Sequence, residues 1–189
     1  FFILTIIPAY GQYDKNFKRY FTDAQYFLIT ENYQEALKYY QKLLYLDPDN
    51  CNVHYLTGTC YLNIPGQKSM ATKHLEQSTS HITQKYRDGS YREKDAPYET
   101  IFLLARAYHI NYEFDKAIDH YIEYRNNMVF DDFAAVEYVN KQIEACELAR
   151  EMIDKPLNVQ FVKLEGNPTS YFQNNSRGVV SETISTMLY

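Results

Sequence analysis

The feature that most constrains the fold of this chain is a segment that occurs twice in nearly the same form. Residues 31–40 read ENYQEALKYY, and residues 112–121 read YEFDKAIDHY. Each has an aromatic residue, two polar residues, an alanine and an aliphatic residue, followed by a second aromatic residue four positions after the alanine. A weaker copy, QKSMATKHL, occupies residues 67–75. Such repetition predicts an array of similar units, because each unit buries its apolar face against its neighbours.

The repeated segment resembles the second helix of a tetratricopeptide repeat, a helix–turn–helix unit of about 34 residues. Ala36 and Ala71 are 35 positions apart, whereas Ala71 and Ala117 are 46 positions apart. The second spacing exceeds one unit by about twelve residues. This surplus falls in residues 85–96, which are polar, charged and without helical apolar periodicity. We therefore expect residues 85–96 to form a surface loop inserted before the third repeat.

The segment before each copy carries one pattern of side-chain sizes: a bulky residue, a small residue four positions later and an aromatic residue three positions after that. The three sets are Tyr20, Ala24 and Phe27; His54, Gly58 and Tyr61; and Ile101, Ala105 and Tyr108. This spacing places each set on one helical face, where the small residue lets the partner helix approach closely. The pattern predicts first helices over residues 17–29, 51–62 and 98–110.

The region after the third repeat changes character twice. Residues 133–153 have apolar side chains every three to four positions, which predicts an amphipathic helix that covers the end of the array. Residues 155–189 contain alternating and β-branched stretches, which predict a linker and a short β segment. Its strands either pair with each other on the cap or open a β domain that is cut off here. The predicted fold is all-α: a tetratricopeptide-type helical repeat solenoid over residues 12–154, with three helix pairs, a long capping helix and a C-terminal β segment.

The first eleven residues differ from the rest. Residues 1–7 are apolar apart from Thr5, and Ala9 and Gly11 occupy the small-residue positions of a secretory cleavage site. We therefore expect residues 1–11 to be the remnant of a signal peptide of an exported protein. The alternative is an N-terminal apolar segment packed on the domain. No other stretch approaches the roughly 20 apolar residues that span a bilayer.

Charge and motif content narrow the function classes. The formal net charge of −5 and the pI near 5.5 argue against a nucleic-acid partner, which usually requires a basic surface. His74 and His81 have a spacing compatible with one helical face, but no metal-binding motif surrounds them, and the three cysteines are expected to be buried free thiols. Phosphate-binding loops and nucleophile motifs are also missing. The sequence predicts no enzyme, no metal, no cofactor and no small-molecule substrate.

The resemblance implies a protein-binding groove. In tetratricopeptide domains, the first helix of each repeat lines the concave groove at its second, fifth, ninth and twelfth positions. Here those positions hold Lys18, Phe21, Gln25 and Leu28; Asn52, Tyr55, Thr59 and Leu62; and Glu99, Phe102, Arg106 and His109. The residues expected to bind a protein or peptide are Phe21, Gln25, Asn52, Tyr55, Thr59, Glu99, Phe102, Arg106 and His109.

Within that groove, the aromatic residues Phe21, Tyr55 and Phe102 are expected to anchor the partner. The alternative is that the groove residues pack against the N-terminal segment or the β tail. The carboxylate-clamp form of the fold carries Lys and Asn at the fifth and ninth positions. This chain has neither at those positions, so a co-chaperone role is not expected.

The order of parts suggests a setting. The export segment, the Tyr-rich repeats, the long helix containing residues 143–149, and Pro156 before a strand resemble the N-terminal part of certain bacterial envelope proteins. In those proteins, tetratricopeptide repeats precede a WD40-like propeller and an OmpA-like peptidoglycan-binding domain. Residues 178–181 (GVVS) occupy the place of the first propeller strand, although Glu182 and Thr183 replace its usual Asp-Gly turn.

This resemblance implies a scaffold of the periplasm or outer membrane, which assembles or anchors an envelope complex such as type IX secretion or gliding machinery. Membrane or cell-wall association would come from other domains. Two alternatives stay open. One is a cytosolic tetratricopeptide adaptor, and the other is an accessory binding domain of an enzyme whose catalytic part lies beyond Tyr189.

Overall fold

The computed structural model describes residues 8–128 and 133–155, with side chains from residue 15 onward, and this part of the chain is mostly helical. The seven described α-helices are α1 (Pro8–Ile29), α2 (Tyr33–Leu46), α3 (Cys51–Asn63), α4 (Ala71–Ser78), α5 (Thr100–Ile110), α6 (Phe114–Asn126) and α7 (Phe133–Asp154). A short 3₁₀ turn (Lys68–Met70) precedes α4. Two-residue strands β1 (Ile82–Thr83) and β2 (Ala96–Pro97) pair in parallel. The predicted all-α class is therefore confirmed at the level of a mostly helical chain.

The helices pack in chain order. Each of the six successive helix pairs from α1/α2 to α6/α7 is in contact. One buried cluster runs through them, from Phe17 on α1 to Cys146 on α7. None of the described helices is both long and apolar enough to cross a membrane. The described residues up to Lys155 belong to one compact unit, and the predicted β segment lies outside the described residues.

The first and third helix pairs, α1/α2 and α5/α6, are joined by matching turns of three residues. The middle residue of each turn adopts a left-handed backbone conformation, with φ of 57° at Glu31 and 63° at Tyr112. The next residue donates its N–H back to the carbonyl five positions earlier, at 2.8 Å from Asn32 and 3.0 Å from Glu113. This bond caps the end of the first helix. The repeated sequence thus produces a repeated local structure.

The small residues of these two pairs are also equivalent. Four alanines, one from each helix, are fully buried: Ala24, Ala36, Ala105 and Ala117. Tyr40 and Tyr121, each four positions after the alanine of its helix, are likewise 0% exposed. Since four residues make just over one helical turn, each alanine and the following tyrosine share a face. Both pairs therefore bury the same stripe of small and aromatic side chains.

The middle pair, α3/α4, is built differently. Helix α4 has only 8 residues and follows the 3₁₀ turn rather than a three-residue connection. Its contact with α3 centres on Gly58, where an added Cβ would lie 2.6 Å from Leu75 Cγ. Glycine is required there because the buried leucine occupies the space that any side chain would need.

Residues 85–96, expected to be a surface loop, form no helix but are packed more closely than that expectation implies. Glu93 is 5% exposed and Ala96 is fully buried. The Glu93 carboxylate accepts hydrogen bonds from Arg87 Nε at 2.9 Å and from the backbone N–H of Lys94 at 3.1 Å. The Lys94 carbonyl in turn accepts from the Asn52 N–H at 2.9 Å. The insertion is therefore an ordered segment that packs on α3.

The N-terminal segment is described only in part. Helix α1 begins at Pro8, so residues 8–11 of the predicted signal remnant belong to this helix. Residues 1–7 lie outside the described residues. Proline suits the first position of a helix, because its fixed φ is helical and its missing N–H has no intrahelical partner there.

Candidate functional site

The groove positions on α1 are largely occupied by packing. Phe21, expected to anchor a partner, is a core residue with 2% of its surface exposed. Gln25 is half-buried, and its Nε2 donates to the Tyr40 hydroxyl at 3.1 Å. Lys18 is exposed and Leu28 is half-buried. In this structure, α1 therefore adds little apolar surface that a partner could contact.

The groove positions on α3 meet the insertion. Asn52 is 1% exposed, and its Oδ1 accepts a hydrogen bond from the Tyr86 hydroxyl at 2.7 Å. The Tyr55 ring is half-buried and contacts the Tyr86 ring edge-to-face, with centroids 6.2 Å apart. Thr59 is half-buried and donates to the Tyr55 carbonyl at 2.9 Å, while Leu62 is buried. The insertion thus covers Asn52 and adds Tyr86 to this face.

The groove positions on α5 border an aromatic cluster. Phe102 is half-buried, and its ring centroid lies 5.5 Å from Tyr121, 5.3 Å from Tyr124 and 6.0 Å from Tyr138. These neighbours come from α6 and α7, so three helices meet around one ring. Helix α7, predicted only as a cap, also contributes Tyr138 to this face, with 53% of its surface exposed.

The other predicted residues of α5 surround this cluster. Glu99 is exposed immediately before the helix, and Arg106 is half-buried one turn beyond Phe102. His109 is half-buried and contacts the Tyr121 ring edge-to-face at 6.4 Å. Burial lowers the pKa of His109, so the imidazole is neutral at pH 7. The charged groups of α5 on this face are therefore Glu99 and Arg106.

These contacts define an aromatic row that consists of Tyr86, Tyr55, Tyr124, Phe102 and Tyr138. Tyr98 connects the two halves of the row, because its ring stacks on Tyr124 with centroids 5.7 Å apart and it lines the same surface pocket as Tyr86. Burial, followed by the nearby charges of Glu99 and Asp88 and by Tyr124, raises the pKa of the Tyr55 hydroxyl. Every member of the row except Tyr138 is half-buried. The row is thus a continuous surface of neutral aromatic side chains drawn from the insertion and four helices.

The sequence pattern identified only two members of this row, Tyr55 and Phe102. Tyr86 belongs to the insertion, Tyr124 to a second helix and Tyr138 to α7, and positions on first helices select none of these. The available signal was composition, since the chain has 20 tyrosines. Composition does not indicate which of them share a face.

A pair of histidines lies within the middle helix pair. The Nδ1 atoms of His54 and His74 are 3.0 Å apart, and His54 Nε2 lies 2.8 Å from the Pro48 carbonyl. A carbonyl only accepts, so His54 carries its proton on Nε2, and its Nδ1 accepts from the Nδ1–H of His74. Burial lowers the pKa of both rings, that of His74 to about 4, so both are neutral at pH 7. In the described residues, no group of three His, Cys, Asp or Glu side chains could hold a metal ion.

The three cysteines are free and buried, as the sequence predicted. Burial raises the pKa of Cys60 to about 12 and that of Cys146 to about 11. These thiols are therefore protonated at neutral pH and poor nucleophiles.

Comparison with known proteins adds no relative to this picture: neither the protein-family models nor the curated proteins include a match to the chain. What the site can do is therefore inferred from its own residues.

Proposed function

We propose that this chain is a non-enzymatic protein–protein interaction scaffold of the tetratricopeptide type, and that its first-helix face binds an extended segment of a partner protein. The observation that carries the proposal is the aromatic row. Its rings come from the insertion and from α3, α5, α6 and α7, so residues far apart in sequence share one surface. Aromatic side chains are preferred anchors of protein interfaces, because they bury large areas at low cost in conformational entropy.

Three features support the repeat type. The first and third helix pairs have matching turns, fully buried alanines and fully buried tyrosines at equivalent positions. Each helix packs on its neighbours in chain order, as expected for a solenoid. Helix α7 packs on α6 after the last repeat, which is the place of a cap. A tetratricopeptide solenoid accounts for all three.

A non-enzymatic role agrees with the state of the reactive side chains. The His54 and His74 rings hydrogen-bond to each other, and the His54 ring also to backbone, while the pKa of Cys60 is raised by burial. A catalytic nucleophile would need the opposite environment, one that lowers the thiol pKa or places a base beside it. A binding surface of aromatic side chains needs neither.

The cellular setting that we propose is the bacterial envelope, with the chain as one module of an exported protein in the periplasm or at the outer membrane. A contribution to type IX secretion or gliding machinery is part of this proposal. The envelope setting and the secretion or gliding role are supported by the order of sequence features, in which an export segment precedes Tyr-rich repeats, a long helix and a β segment. Fractionation of cells that produce the full-length protein tests the setting: the expected product lacks residues 1–11 and occurs in the envelope fraction. A cytosolic product that retains residues 1–11 would contradict it.

A displayed library of random peptides tests the binding proposal. We expect the purified chain to enrich a family of peptides, and the Tyr55→Ala/Phe102→Ala variant to lose that enrichment while keeping its far-UV helicity. The matched control is Tyr45→Ala, which removes a tyrosine that is 87% exposed on α2, away from the row. This variant should enrich the same peptides. Equal enrichment by the double variant would mean that the row is not the binding surface.

A further inference from the structure

We infer that two copies of this chain associate head to tail, with the C-terminal half of α7 of one copy seated in a basic cleft between α1 and α2 of the other. The inference goes beyond the proposed function, because neither surface includes a residue of the aromatic row. We define the basic cleft by five of the residues that line it: Tyr20, Lys38, Lys42, Tyr45 and Leu46.

The basic cleft is an open depression of about 640 Å³ on the first helix pair. Tyr20 belongs to α1, and the other four residues belong to α2. None of the described residues that line the cleft is acidic. Tyr45 is 87% exposed, so the cleft is open to a second protein surface rather than closed around a small molecule, which binding pockets usually enclose.

Cations converge on this cleft. Lys42 Nζ lies 4.8 Å from the ring centroid of Tyr39 and 5.4 Å from that of Tyr20, and the Arg19 guanidinium lies 5.0 Å from the Tyr20 centroid. Neither Lys42 nor Arg19 takes part in any of the seven ion pairs that join described residues. The rings therefore position these cations, while no carboxylate of the described chain neutralises them by an ion pair.

The C-terminal half of α7 has the complementary chemistry. Glu147 and Glu151 are exposed, and neither takes part in an ion pair with a described residue. Leu148 and Met152, each one position after a glutamate, are 59% and 51% exposed. Because four residues make just over one helical turn, the glutamates form one column and the apolar residues form a second column beside it. We call these four residues the α7 stripe.

The basic cleft and the α7 stripe lie at opposite ends of the helix array. The helices pack in chain order, so α1 and α2 begin the array and α7 ends it. The buried residues of α7 are Val139, Ile143 and Cys146. At 3.6 residues per turn, the α7 stripe lies on the other side of the helix from these residues. It is therefore directed away from the core, toward a second molecule.

The spacing of the charges matches across the two surfaces. Lys38 and Lys42 are four positions apart on α2, and Glu147 and Glu151 are four positions apart on α7, about 6 Å along either helix axis. A helix seated in the cleft can therefore pair both glutamates with both lysines while apolar side chains meet beside them. Lys38 would leave its exposed contact with Glu35, at 2.6 Å, which costs little.

The association that follows is open-ended. Because the two surfaces are different, each contact leaves a basic cleft free on one copy and an α7 stripe free on the other. Further copies can then add at either end. A second copy is the favoured occupant because the chain itself carries the acidic and apolar residues that the cleft requires.

Sedimentation velocity on the full chain tests this inference. The weight-average mass should rise above 22.4 kDa as the chain is concentrated into the high micromolar range, and it should fall again as salt is added. Lys38→Glu/Lys42→Glu and Glu147→Lys/Glu151→Lys should each raise the dissociation constant at least about tenfold, because like charges then face each other. Far-UV circular dichroism should show unchanged helicity for both variants.

A matched control separates the cleft from a general charge effect. Lys68→Glu/Lys85→Glu reverses two exposed lysines outside both surfaces and changes the net charge by the same amount as the cleft variant. This control should associate like the unmodified chain.

Mixing the two charge variants tests the head-to-tail arrangement. The cleft variant keeps its α7 stripe, and the α7 variant keeps its basic cleft. Each is expected to be monomeric alone, but an equimolar mixture should form dimers and nothing longer, since only one functional contact is possible. Combining all four substitutions in one chain should restore association, because the exchanged charges are again complementary.

Three results would overturn the inference. They are a chain that stays monomeric at every concentration, association that persists in both charge variants, and a mixture of these variants that stays monomeric. If the unmodified chain is monomeric but the cleft captures an acidic peptide from the displayed library, the occupant is a different protein and self-association is likewise overturned. None of these results bears on the aromatic row, because no substitution changes one of its residues.

Discussion

The outer helix pairs and the middle pair of this chain differ in the residues at which their two helices meet. Pairs α1/α2 and α5/α6 meet through buried alanines, and both connecting turns use a left-handed residue that is not glycine. Pair α3/α4 meets at Gly58, is linked by a histidine–histidine hydrogen bond and carries the insertion. The outer pairs thus meet through small apolar side chains, with a hydrogen bond from Gln25 to Tyr40 added in the first pair, whereas the middle pair meets at a glycine and is joined by a histidine–histidine hydrogen bond.

The difference has a functional side. The insertion follows the middle pair and packs on α3, where it covers Asn52 and places Tyr86 beside Tyr55. The less regular repeat is therefore the one that adds side chains to the proposed binding face. In repeat arrays, the residues that depart from the repeat pattern often carry a specific function, because the regular positions are used for packing between neighbouring repeats.

The largest effect that separates the two kinds of pair is expected at Gly58. A Gly58→Val substitution would place its Cβ 2.6 Å from Leu75 Cγ, so the contact between α3 and α4 must open. We expect a loss of about 3 kcal/mol in unfolding free energy, measured by urea denaturation. Adding Leu75→Ala should make the valine less costly than it is in the unmodified chain. A neutral Gly58→Val variant would show that the helices do not meet there.

Alanine-to-leucine substitutions test whether the outer pairs are equivalent. Ala36→Leu and Ala117→Leu each force a larger side chain into a fully buried site, and each should cost roughly 1–3 kcal/mol in the same assay. The control is Ala145→Leu, which lies at an exposed position of α7 and should cost little. An unchanged stability for either buried variant would contradict the proposed register of the repeats.

Acid should weaken the middle pair. Burial, followed by the charges of His54 and Lys73, lowers the pKa of His74 from 6.5 to about 4. The unfolded state therefore binds more protons than the folded state between those values, so this stabilisation is complete above pH 6.5 and is lost as the pH falls toward 4.

A matched variant isolates that contribution. His74→Asn removes the titrating ring but keeps a side chain that can donate a hydrogen bond to His54. Between pH 7 and pH 4 the unmodified chain should lose on the order of 1 kcal/mol more unfolding free energy than this variant. His109→Gln serves as the comparison, because burial also lowers the pKa of this ring and its removal should take away a separate part of the acid loss, that of the third pair. If the unfolding free energies of the unmodified chain and of His74→Asn depend on pH in the same way, the histidine pair does not cause the acid sensitivity.

The smallest effects should come from the turns. Glu31→Gly and Tyr112→Gly each relieve a left-handed residue, at the cost of a more flexible unfolded chain, and each should raise the unfolding free energy by up to about 1 kcal/mol. Gly66, in the connection of the middle pair, already has a φ of 76°. Gly66→Ala should therefore lower the stability. Opposite signs for these substitutions would argue against the assigned turn conformations.

Much of the helical framework was predictable, because apolar periodicity marks helices directly. The helix predicted over residues 51–62 is α3 (Cys51–Asn63) in the structure, and the helix predicted over residues 133–153 is α7 (Phe133–Asp154). Each prediction ends one residue short. The early start of α1 at Pro8 was missed, since the pattern of the repeat begins only at residue 17. Local pattern thus identifies where helices exist more reliably than where they begin.

The candidate site was less predictable, and Glu93 shows why. A charged residue in a polar segment indicates solvent exposure, yet this carboxylate is buried because Arg87 and its own neighbouring backbone N–H groups satisfy it. Such a local network cannot be inferred from composition. Tyr86, in the same segment, donates to Asn52 on α3, a contact that its position in the sequence likewise does not indicate. Phe21 illustrates the converse, because a rule for positions on first helices does not reveal whether a residue becomes part of the core.

The most direct test of the central claim is to locate a bound peptide on the folded chain. Amide chemical-shift changes, measured on the isotope-labelled chain during titration with the strongest selected peptide, would report its position. We expect the largest changes at Asn52, Tyr55, Phe102 and Arg106 and in the insertion. Changes confined to the C-terminal half of α7, where Leu148 is 59% and Met152 is 51% exposed, would contradict the account.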